Sequence, residues 1–154
     1  MSKEPVRLWA MYRSISSVFL FLLALATSSA LAQPPALLLF GDAHHKTFLG
    51  CLNCSPFDSG SICNQSGPNG SEFSSYSIWN RLSNFGNALS SYSPWNQFSN
   101  AGPIIVDKDG HFYGQLTANR FAIDRTQIQR LNQLTDMVVD GRELEVVRNR
   151  FCRQ

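Results

Sequence analysis

The chain has 154 residues, with 13 lysines and arginines against 11 aspartates and glutamates, and 44% of its residues are hydrophobic. That length suits one domain and leaves little room for two. A formal net charge of +2 is too small for a polyelectrolyte that binds nucleic acid, and it also excludes an acidic disordered tail.

The N-terminus carries the three parts of a secretory signal peptide. Three basic residues precede the uncharged apolar stretch 15–26, and Ala30-Leu31-Ala32 supplies the small-x-small cleavage pattern. We therefore expect residues 1–32 to be a signal peptide and residues 33–154 to be a single mature domain. The alternative is an uncleaved anchor, but the apolar stretch is short for a bilayer span of about 20 residues.

Cleavage at this point changes the charge of the protein. It removes three of the 13 basic residues and one of the 11 acidic residues, which leaves ten of each and a formal net charge of zero. A neutral domain has little electrostatic attraction for nucleic acid, and loss of the apolar stretch removes its membrane contact. We expect a periplasmic or secreted protein whose partner is an unidentified envelope or extracellular ligand.

The mature part opens with a predicted β-hairpin. Residues 36–40 and 47–49 are short apolar runs separated by glycine and polar residues, which is typical of two paired strands. The connecting loop carries the adjacent histidines His44 and His45. Because neighbouring side chains on a strand point to opposite faces, the two imidazoles are not expected to serve one site.

All four cysteines lie after residue 32, and an even number of cysteines in an exported chain predicts disulfides. We favour pairing Cys54 with Cys63 and Cys51 with Cys152, which would attach the C-terminal helix to the front of the domain. The alternative is a local Cys51–Cys54 bridge. A redox-active CxxC pair is disfavoured because no long helix follows it. Zinc binding with the loop histidines is also disfavoured, because exported thiols oxidise first, and no metal or cofactor is expected.

The middle of the chain, about residues 55–102, repeats three times with a period of 16 residues. Two serines, one asparagine and one glycine are identical in all three copies. We expect each copy to form a short helical turn, with serine as its N-cap and glycine at its end. The core of the repeat reads Ser59-Gly-Ser-Ile-Cys-Asn64, Ser75-Tyr-Ser-Ile-Trp-Asn80 and Ser91-Tyr-Ser-Pro-Trp-Asn96.

Aromatic residues recur within the repeat and allow two interpretations. In the first, Trp79 and Trp95 form the buried core of their units, and Leu82 and Phe98, three residues later, continue the same buried edge at helical spacing. Alternatively the aromatic rings form a ladder on which a sugar or a base stacks, and the tyrosines are then the better surface candidates. The candidate binding residues are Tyr76, Tyr92, Trp79 and Trp95.

A second hairpin is predicted after the repeat. Residues 103–106 and 111–117 flank Asp107-Lys-Asp-Gly110, whose Asp-Gly pair supplies the positive-φ turn. The same string resembles the start of a calcium loop. An EF-hand would need Glu at the twelfth position, where this chain has Ala118, so calcium binding is disfavoured.

Two amphipathic helices are predicted at the C-terminus. Asp124-Arg-Thr-Gln127 and Asp140-Gly-Arg-Glu143 both match a capping box that opens a helix. The charged residues of the second helix, Arg148 among them, are expected on its solvent face. The expected buried residues are Ile128, Leu131, Leu134 and Val138 in the first helix, and Leu144, Val147 and Phe151 in the second.

Candidate catalytic residues are few. If the two hairpin loops converge, His44, His45 and His111 would meet Asp107, an arrangement suited to acid–base chemistry or metal binding. The sequence has no GxSxG, HExxH or phosphate-loop motif. An enzyme is therefore not favoured.

Three segments together resemble a family of small exported bacterial proteins. They are Phe48-Leu-Gly-Cys-Leu-Asn-Cys54, the SxS[IP]WN repeats and the segment Pro103–Gly114, which reads PIIVDKDGHFYG. Members of that family carry FLGCLNC before repeated YSSxSIWN units and a PPVIVDxDGxFYG segment. The resemblance implies a bacterial, exported setting. The family has no established activity, so the resemblance supplies no catalytic residues.

The sequence thus predicts an α+β domain with a small antiparallel sheet from two hairpins, a 3 × 16-residue repeat insert of short helical turns, and two C-terminal helices. The expected function is that of a disulfide-stapled binding or interaction module without catalysis. One alternative is a hydrolase or metal-dependent enzyme that uses the His and Asp residues of the hairpin loops. Another is a structural envelope protein whose repeats pack against a partner.

Overall fold

The computed structural model describes residues 33–153, so the predicted signal peptide lies outside the described residues. The described part contains four strands and two helices in an α+β arrangement. Both predicted hairpins and both C-terminal helices are confirmed. The elements are β1 (Leu38–Gly41), β2 (Thr47–Cys51), β3 (Ile104–Val106), β4 (Phe112–Gln115), α1 (Gln129–Val139) and α2 (Leu144–Cys152).

The four strands form one antiparallel sheet in the order β2-β1-β3-β4. The hairpins join through β1 and β3, where Leu38 lies opposite Val106 and Phe40 lies opposite Ile104. Because these two strands run in opposite directions, the loop after β1 and the loop after β3 lie at opposite ends of the sheet. Gly110 has a φ of +84° in the second loop, as its Asp-Gly pair predicts.

The chain between β2 and β3 forms consecutive β-turns, so the predicted helical turns are wrong. Serine or asparagine begins most of the three-residue steps, with Asp58 and Gly67 as the exceptions in the first segment. The N–H of this residue donates to the carbonyl three residues earlier, as Ser77 does to Ser74 at 3.3 Å and Asn80 to Ser77 at 3.3 Å. Its side-chain oxygen accepts the N–H two residues later, as Ser77 Oγ does from Trp79 at 3.1 Å. Because these side chains bond the backbone locally, turns replace the i to i−4 bonds of a helix.

The glycine and asparagine columns of the repeat have structural roles in these turns. A Cβ on Gly86 would lie 2.1 Å from the Asn80 carbonyl oxygen, and a Cβ on Gly70 would lie 2.1 Å from the Asn64 carbonyl oxygen. The amide of Asn80 donates to the carbonyl six residues earlier at 3.0 Å, and the equivalent asparagines do the same. Five three-residue turns and one glycine therefore account for each 16-residue interval.

Successive turn segments are joined by hydrogen bonds to the carbonyl of one residue that recurs every 16 positions. The indole Nε1 of Trp79 donates to the Ile62 carbonyl at 2.7 Å, and that of Trp95 donates to Ile78 at 2.6 Å. The two indole rings lie 5.5 Å apart. At the third such carbonyl, Pro94, the acceptor receives the backbone N–H of Ala118 at 2.7 Å. A segment that follows β4 therefore adds a further layer, which the sequence repeat did not predict.

The helices begin later than the capping boxes predicted. Neither N-cap residue, Ile128 or Glu143, makes a side-chain cap hydrogen bond. The first box is instead held extended against β4, where the Gln115 N–H donates to the Asp124 carbonyl at 2.6 Å and the Thr126 N–H donates to the Gln115 carbonyl at 2.9 Å. Strand-like pairing thus overrides the local capping signal.

The predicted inward face of α2 is buried, but one charged residue joins it. Arg148 is only 7% exposed, and its guanidinium Nη1 donates to the Gly70 carbonyl at 3.2 Å. The prediction that Arg148 lies on a solvated face is therefore wrong. Its hydrogen bond ties α2 to the end of the first turn segment.

The cysteines form two disulfides, Cys51–Cys54 and Cys63–Cys152. The favoured pairing was wrong, and the local alternative at Cys51 and Cys54 is the one observed. Cys51 ends β2 and Cys54 lies in the turn that follows, so they meet without any tertiary rearrangement. The C-terminal helix is stapled as expected, but to the first turn segment rather than to the front of the domain.

All of these elements contribute to one apolar core, which lies between the sheet, the stacked turns and the helices. The helix prediction holds for most of its inward residues, while Ile128 and Val138 are only partly buried. The buried cluster comprises Leu39, Leu49, Leu52, Ile62, Ile78, Trp79, Trp95, Ile105, Leu116, Leu131, Leu134, Leu144, Val147 and Phe151.

Candidate interaction surface

The third residue of most turns is apolar, and its place in the 16-residue interval decides whether it is buried. Trp79 and Trp95 are 4% and 2% exposed, whereas Leu82 and Phe98, three residues later, lie almost fully in solvent. The prediction that Leu82 and Phe98 continue a buried edge is therefore wrong. Three-residue spacing keeps two side chains on one face only in a helix, and this segment is a chain of β-turns.

Large apolar side chains are exposed in two recurring positions of the turns. One position holds Phe57, Phe73 and Leu89, and the other holds Leu82 and Phe98. Phe121 extends the second position, because its N–H bonds Asn119 Oδ1 at 3.0 Å as that of Phe98 bonds Asn96 Oδ1 at 2.9 Å. Within residues 33–153, seven large apolar side chains are between 85% and 98% exposed: Phe57, Phe73, Leu82, Leu89, Phe98, Phe121 and Ile123.

Two grooves run beside these side chains where the turns meet the helices. The first has a volume of about 600 Å³, and its apolar lining comprises Phe73, Trp79, Leu82, Leu144 and Val146. The second has about 530 Å³ and is lined by Phe98, Phe121 and Val139 among others. We call Phe73, Leu82, Phe98 and Phe121 the apolar face.

Ion pairs flank the apolar face. Arg81 pairs with Glu143 across the first groove. Arg120, which lines the second groove, donates from Nε to Asp136 Oδ1 at 3.1 Å. Both charges are exposed, so these pairs contribute little to stability. They neutralise Arg81 and Arg120, while Glu72 and Glu145 leave further acidic groups on the first groove.

Only part of the predicted aromatic ladder is accessible to a ligand. Trp79 and Trp95 are buried core residues with bonded indole N–H groups, so their faces are not free to stack on a sugar or a base. Tyr76 is half-exposed beside Phe48 in an open groove of about 490 Å³. Tyr92 is partly buried. Tyr76 is therefore the most accessible of the four candidate binding residues.

The histidines of the two hairpin loops do not converge. His44 and His45 follow β1, whereas His111 follows β3 at the opposite end of the sheet. His45 Nε2 lies 3.3 Å from the Gly102 carbonyl, beside the start of β3. The arrangement that the enzyme hypothesis requires, with all three imidazoles near Asp107, is not formed.

Asp107 organises the second hairpin loop. Its Oδ1 accepts the N–H groups of Asp109 and His111 at 2.9 Å each. Its Oδ2 accepts from His111 Nδ1 at 2.8 Å and from the Tyr113 hydroxyl at 2.9 Å. Burial opposes ionisation of the carboxyl, but these hydrogen bonds outweigh it and lower the pKa of Asp107 from 3.8 to about 2. The same carboxylate raises the pKa of Tyr113.

Asp42 has the same role in the first hairpin loop. Its carboxylate accepts the Thr47 hydroxyl and the N–H groups of His44 and Lys46. These bonds, that of Thr47 first, lower the pKa of Asp42 from 3.8 to about 2. Asp42 itself has a φ of +76°, a conformation that Asp tolerates better than most residues. Both loop aspartates thus stabilise turns.

Asp107, Asp109 and His111 also bring one ligand atom each within 4.8 Å of one another. Both carboxylate oxygens of Asp107 are already used as acceptors within the loop. The geometry is explained by these internal hydrogen bonds. The expectation that the protein binds no metal stays a prediction.

Sequence reasoning missed the apolar face. The available signal was the serine or asparagine at every third residue from Ser71 to Ser99, interrupted only at Gly86. That period predicts turns, and it would have removed the helical argument for burying Leu82 and Phe98. The equivalence of Phe121 carries a weaker signal, the shared Asn-x-Phe spacing.

Comparison with family models, with curated proteins and with solved structures gives no match to this chain. Its fold and candidate surface therefore rest on its own residues, and the resemblance to exported bacterial proteins stays an expectation. Across residues 33–153, no helix has both the length and the apolar character that a membrane crossing needs.

Proposed function

We propose that this protein is an exported, disulfide-stapled interaction module that binds a macromolecular partner through the apolar face. The observation that carries the proposal is the recurrence of exposed phenylalanine and leucine at equivalent turn positions. Large apolar side chains clustered on a protein surface mark interaction sites in soluble proteins. The two disulfides support a rigid scaffold of the type found in exported proteins.

Folding does not explain why these positions are apolar. A leucine or phenylalanine side chain contributes about 1.5–3 kcal/mol when it is transferred from water to a buried site, and Leu82 and Phe98 remain in water. The first turn segment has Ser66 at the equivalent position, also exposed. A polar residue is therefore compatible with the same turn, and the apolar residues are available for binding.

The hydrogen bonds of the hairpin loops favour binding over catalysis. Asp42 and Asp107 bond their own loops, and His111 lies at the other end of the sheet from His44 and His45. The carboxylates proposed for an enzyme thus have structural contacts that account for them, and the histidines are not brought together. The apolar face has no comparable account within the described residues.

The test is site-specific photo-crosslinking in cells that export the full chain. A photoreactive amino acid is placed at Leu82 or Phe98, with Ser66 as the control in the equivalent turn. We expect covalent adducts from positions 82 and 98 and few from position 66. If all three positions give the same low yield, the apolar face is not an interaction surface and the proposal is wrong.

A further inference from the structure

We infer that the partner of the apolar face is a second copy of this chain, so that the protein is a homodimer built on this face. The inference rests on the proposed function and names its partner. Three observations support it: the area of the face, the presence of projecting side chains and grooves on the same surface, and the balance of charge.

The apolar face is large enough for a stable dimer. A buried aromatic side chain removes roughly 150–250 Å² from water, so the three phenylalanines of the face account for roughly 450–750 Å². Leu82 and the half-exposed Val146 add to this area. A standard interface takes about 800 Å² from each partner, and the face approaches this value with apolar atoms alone.

The face contains both projections and the grooves that would receive them. Leu82 projects from the rim of the first groove, and Phe98 and Phe121 project from the rim of the second. A two-fold interface pairs one surface patch with itself, so the patch must supply both members of every contact.

The charge balance favours a second copy over an anionic membrane. Residues 33–153 contain ten basic and ten acidic side chains, so two copies do not repel one another by net charge. Arg81 and Arg120, which border the grooves, are already paired with Glu143 and Asp136. Binding to an anionic lipid surface draws on an excess of Lys and Arg, and this face has none.

The test measures the mass of the exported protein by sedimentation velocity across a concentration series. The wild type is compared with the double variant Leu82→Ser/Phe98→Ser, which copies Ser66 of the first segment. The control is Phe57→Ser, which removes an equally exposed ring that lines neither groove. We expect the wild type and the control to be dimers. We expect the dimer dissociation constant of the double variant to be at least tenfold higher than that of the control.

The changed side chains of the double variant lie in solvent, so we expect it to fold. Far-ultraviolet circular dichroism and the urea midpoint check that it does. A monomeric wild type at micromolar concentration overturns the inference, as does a double variant that dimerises like the wild type. Dissociation of Phe57→Ser to the same extent also overturns it, because the interface would then lie elsewhere.

The crosslinked adducts separate failure of this inference from failure of the proposed function. Adducts of twice the chain mass from positions 82 and 98 support a second copy. Adducts to another protein or to lipid, with a monomeric wild type, retain the interaction surface and overturn the dimer. Absence of adducts together with a monomeric wild type overturns both.

Discussion

At the scale of single residues, two side-chain types determine the shape of the middle of the chain. A serine or asparagine at every third position accepts the N–H two residues later, as Ser83 does from Phe85 at 3.3 Å. Gly70 and Gly86, which end the first two intervals, permit a close backbone approach that a Cβ would prevent. Local hydrogen bonds and one missing atom thus explain most of the identical columns of the repeat.

Gly86 tests this explanation. We expect Gly86→Ala to destabilise the protein by about 1–3 kcal/mol, because overpacking forces the surrounding backbone to shift, and the new Cβ would lie 2.1 Å from the Asn80 carbonyl oxygen. Gly60→Ala is the matched control, since its Cβ would make an ordinary 3.4 Å contact with the Phe48 ring. Urea unfolding measures both, and equal stability of the two variants would contradict the steric account.

The loop aspartates predict a loss of stability in acid. The pKa values of Asp42 and Asp107 are lowered from 3.8 to about 2 in the folded protein, so the folded state binds protons less readily than the unfolded state. Their contribution to stability is therefore complete above pH about 4 and is lost as the pH falls towards about 2. We expect the urea midpoint to decrease over this interval.

Substitution of one loop aspartate checks the origin of that acid dependence. Asp107→Asn should flatten the decrease of the urea midpoint, because the asparagine does not titrate. Asp109→Asn, which changes the exposed neighbour, should leave the profile close to that of the wild type. An unchanged slope for Asp107→Asn would show that other carboxyls cause the acid dependence.

At the scale of elements, apolar spacing correctly predicted that the two helices exist, whereas the capping boxes misplaced where they begin. The apolar spacing of Leu131 and Leu134 predicted α1 correctly, because that face packs on the core. Its start was misplaced, since residues 124–126 pair with β4. A capping box is a local signal. It does not indicate whether the backbone N–H and C=O groups of the box will instead bond to a strand far away in the sequence.

The Cys63–Cys152 disulfide connects elements that are far apart in the sequence. Its partners are 89 residues apart, and closing a loop of that length restricts the unfolded chain by about 4–5 kcal/mol in the chain-entropy model. We expect Cys63→Ser/Cys152→Ser to lower the free energy of unfolding by an amount of this order. Thermal and urea unfolding under oxidising conditions provide the measurement.

The local disulfide supplies the control for that experiment. Cys51 and Cys54 are three residues apart, so Cys51→Ser/Cys54→Ser should cost roughly 2 kcal/mol on the same model. The order of the two effects is the informative result. A larger loss for the local pair would mean that native packing at Cys51, rather than loop closure, dominates.

At the scale of the whole molecule, the sheet is closed on both sides by irregular segments. Cys51 N–H donates to the Gly60 carbonyl at 2.8 Å and its carbonyl accepts from Ile62 at 3.1 Å, which covers the edge of β2. Residues 124–126 cover part of the edge of β4 in the same way. Covered edges limit association through strand pairing, which accords with the proposal that a partner binds the apolar face.

Intact-mass measurement of the exported protein tests the predicted processing. We expect a chain that starts at Gln33 and has lost four hydrogens, because the small-x-small pattern ends at Ala32 and the four cysteines form two disulfides. Mass analysis after alkylation without reduction provides the comparison. A mass corresponding to four free thiols would contradict the stapled scaffold, and retention of residues 1–32 would contradict cleavage.

The sequence by itself determined the elements whose signals are local: both hairpins, both helices, the even set of cysteines and the 16-residue period. The period is visible because each interval repeats the same short-range hydrogen bonds and the same glycine. Residue pattern also predicted the burial of Trp79 and Trp95. These features depend on neighbours within a few positions, which a linear pattern records.

Only the tertiary structure decided which distant groups meet. It paired Cys63 with Cys152, placed His111 at the opposite end of the sheet from His44, buried Arg148 against Gly70, and left Leu82 and Phe98 in solvent. Each outcome depends on strand direction or on stacking between segments far apart in the chain. Apolar character favours removal from water, but the packing of the whole molecule determines which apolar side chains the core can accommodate and which remain for a partner.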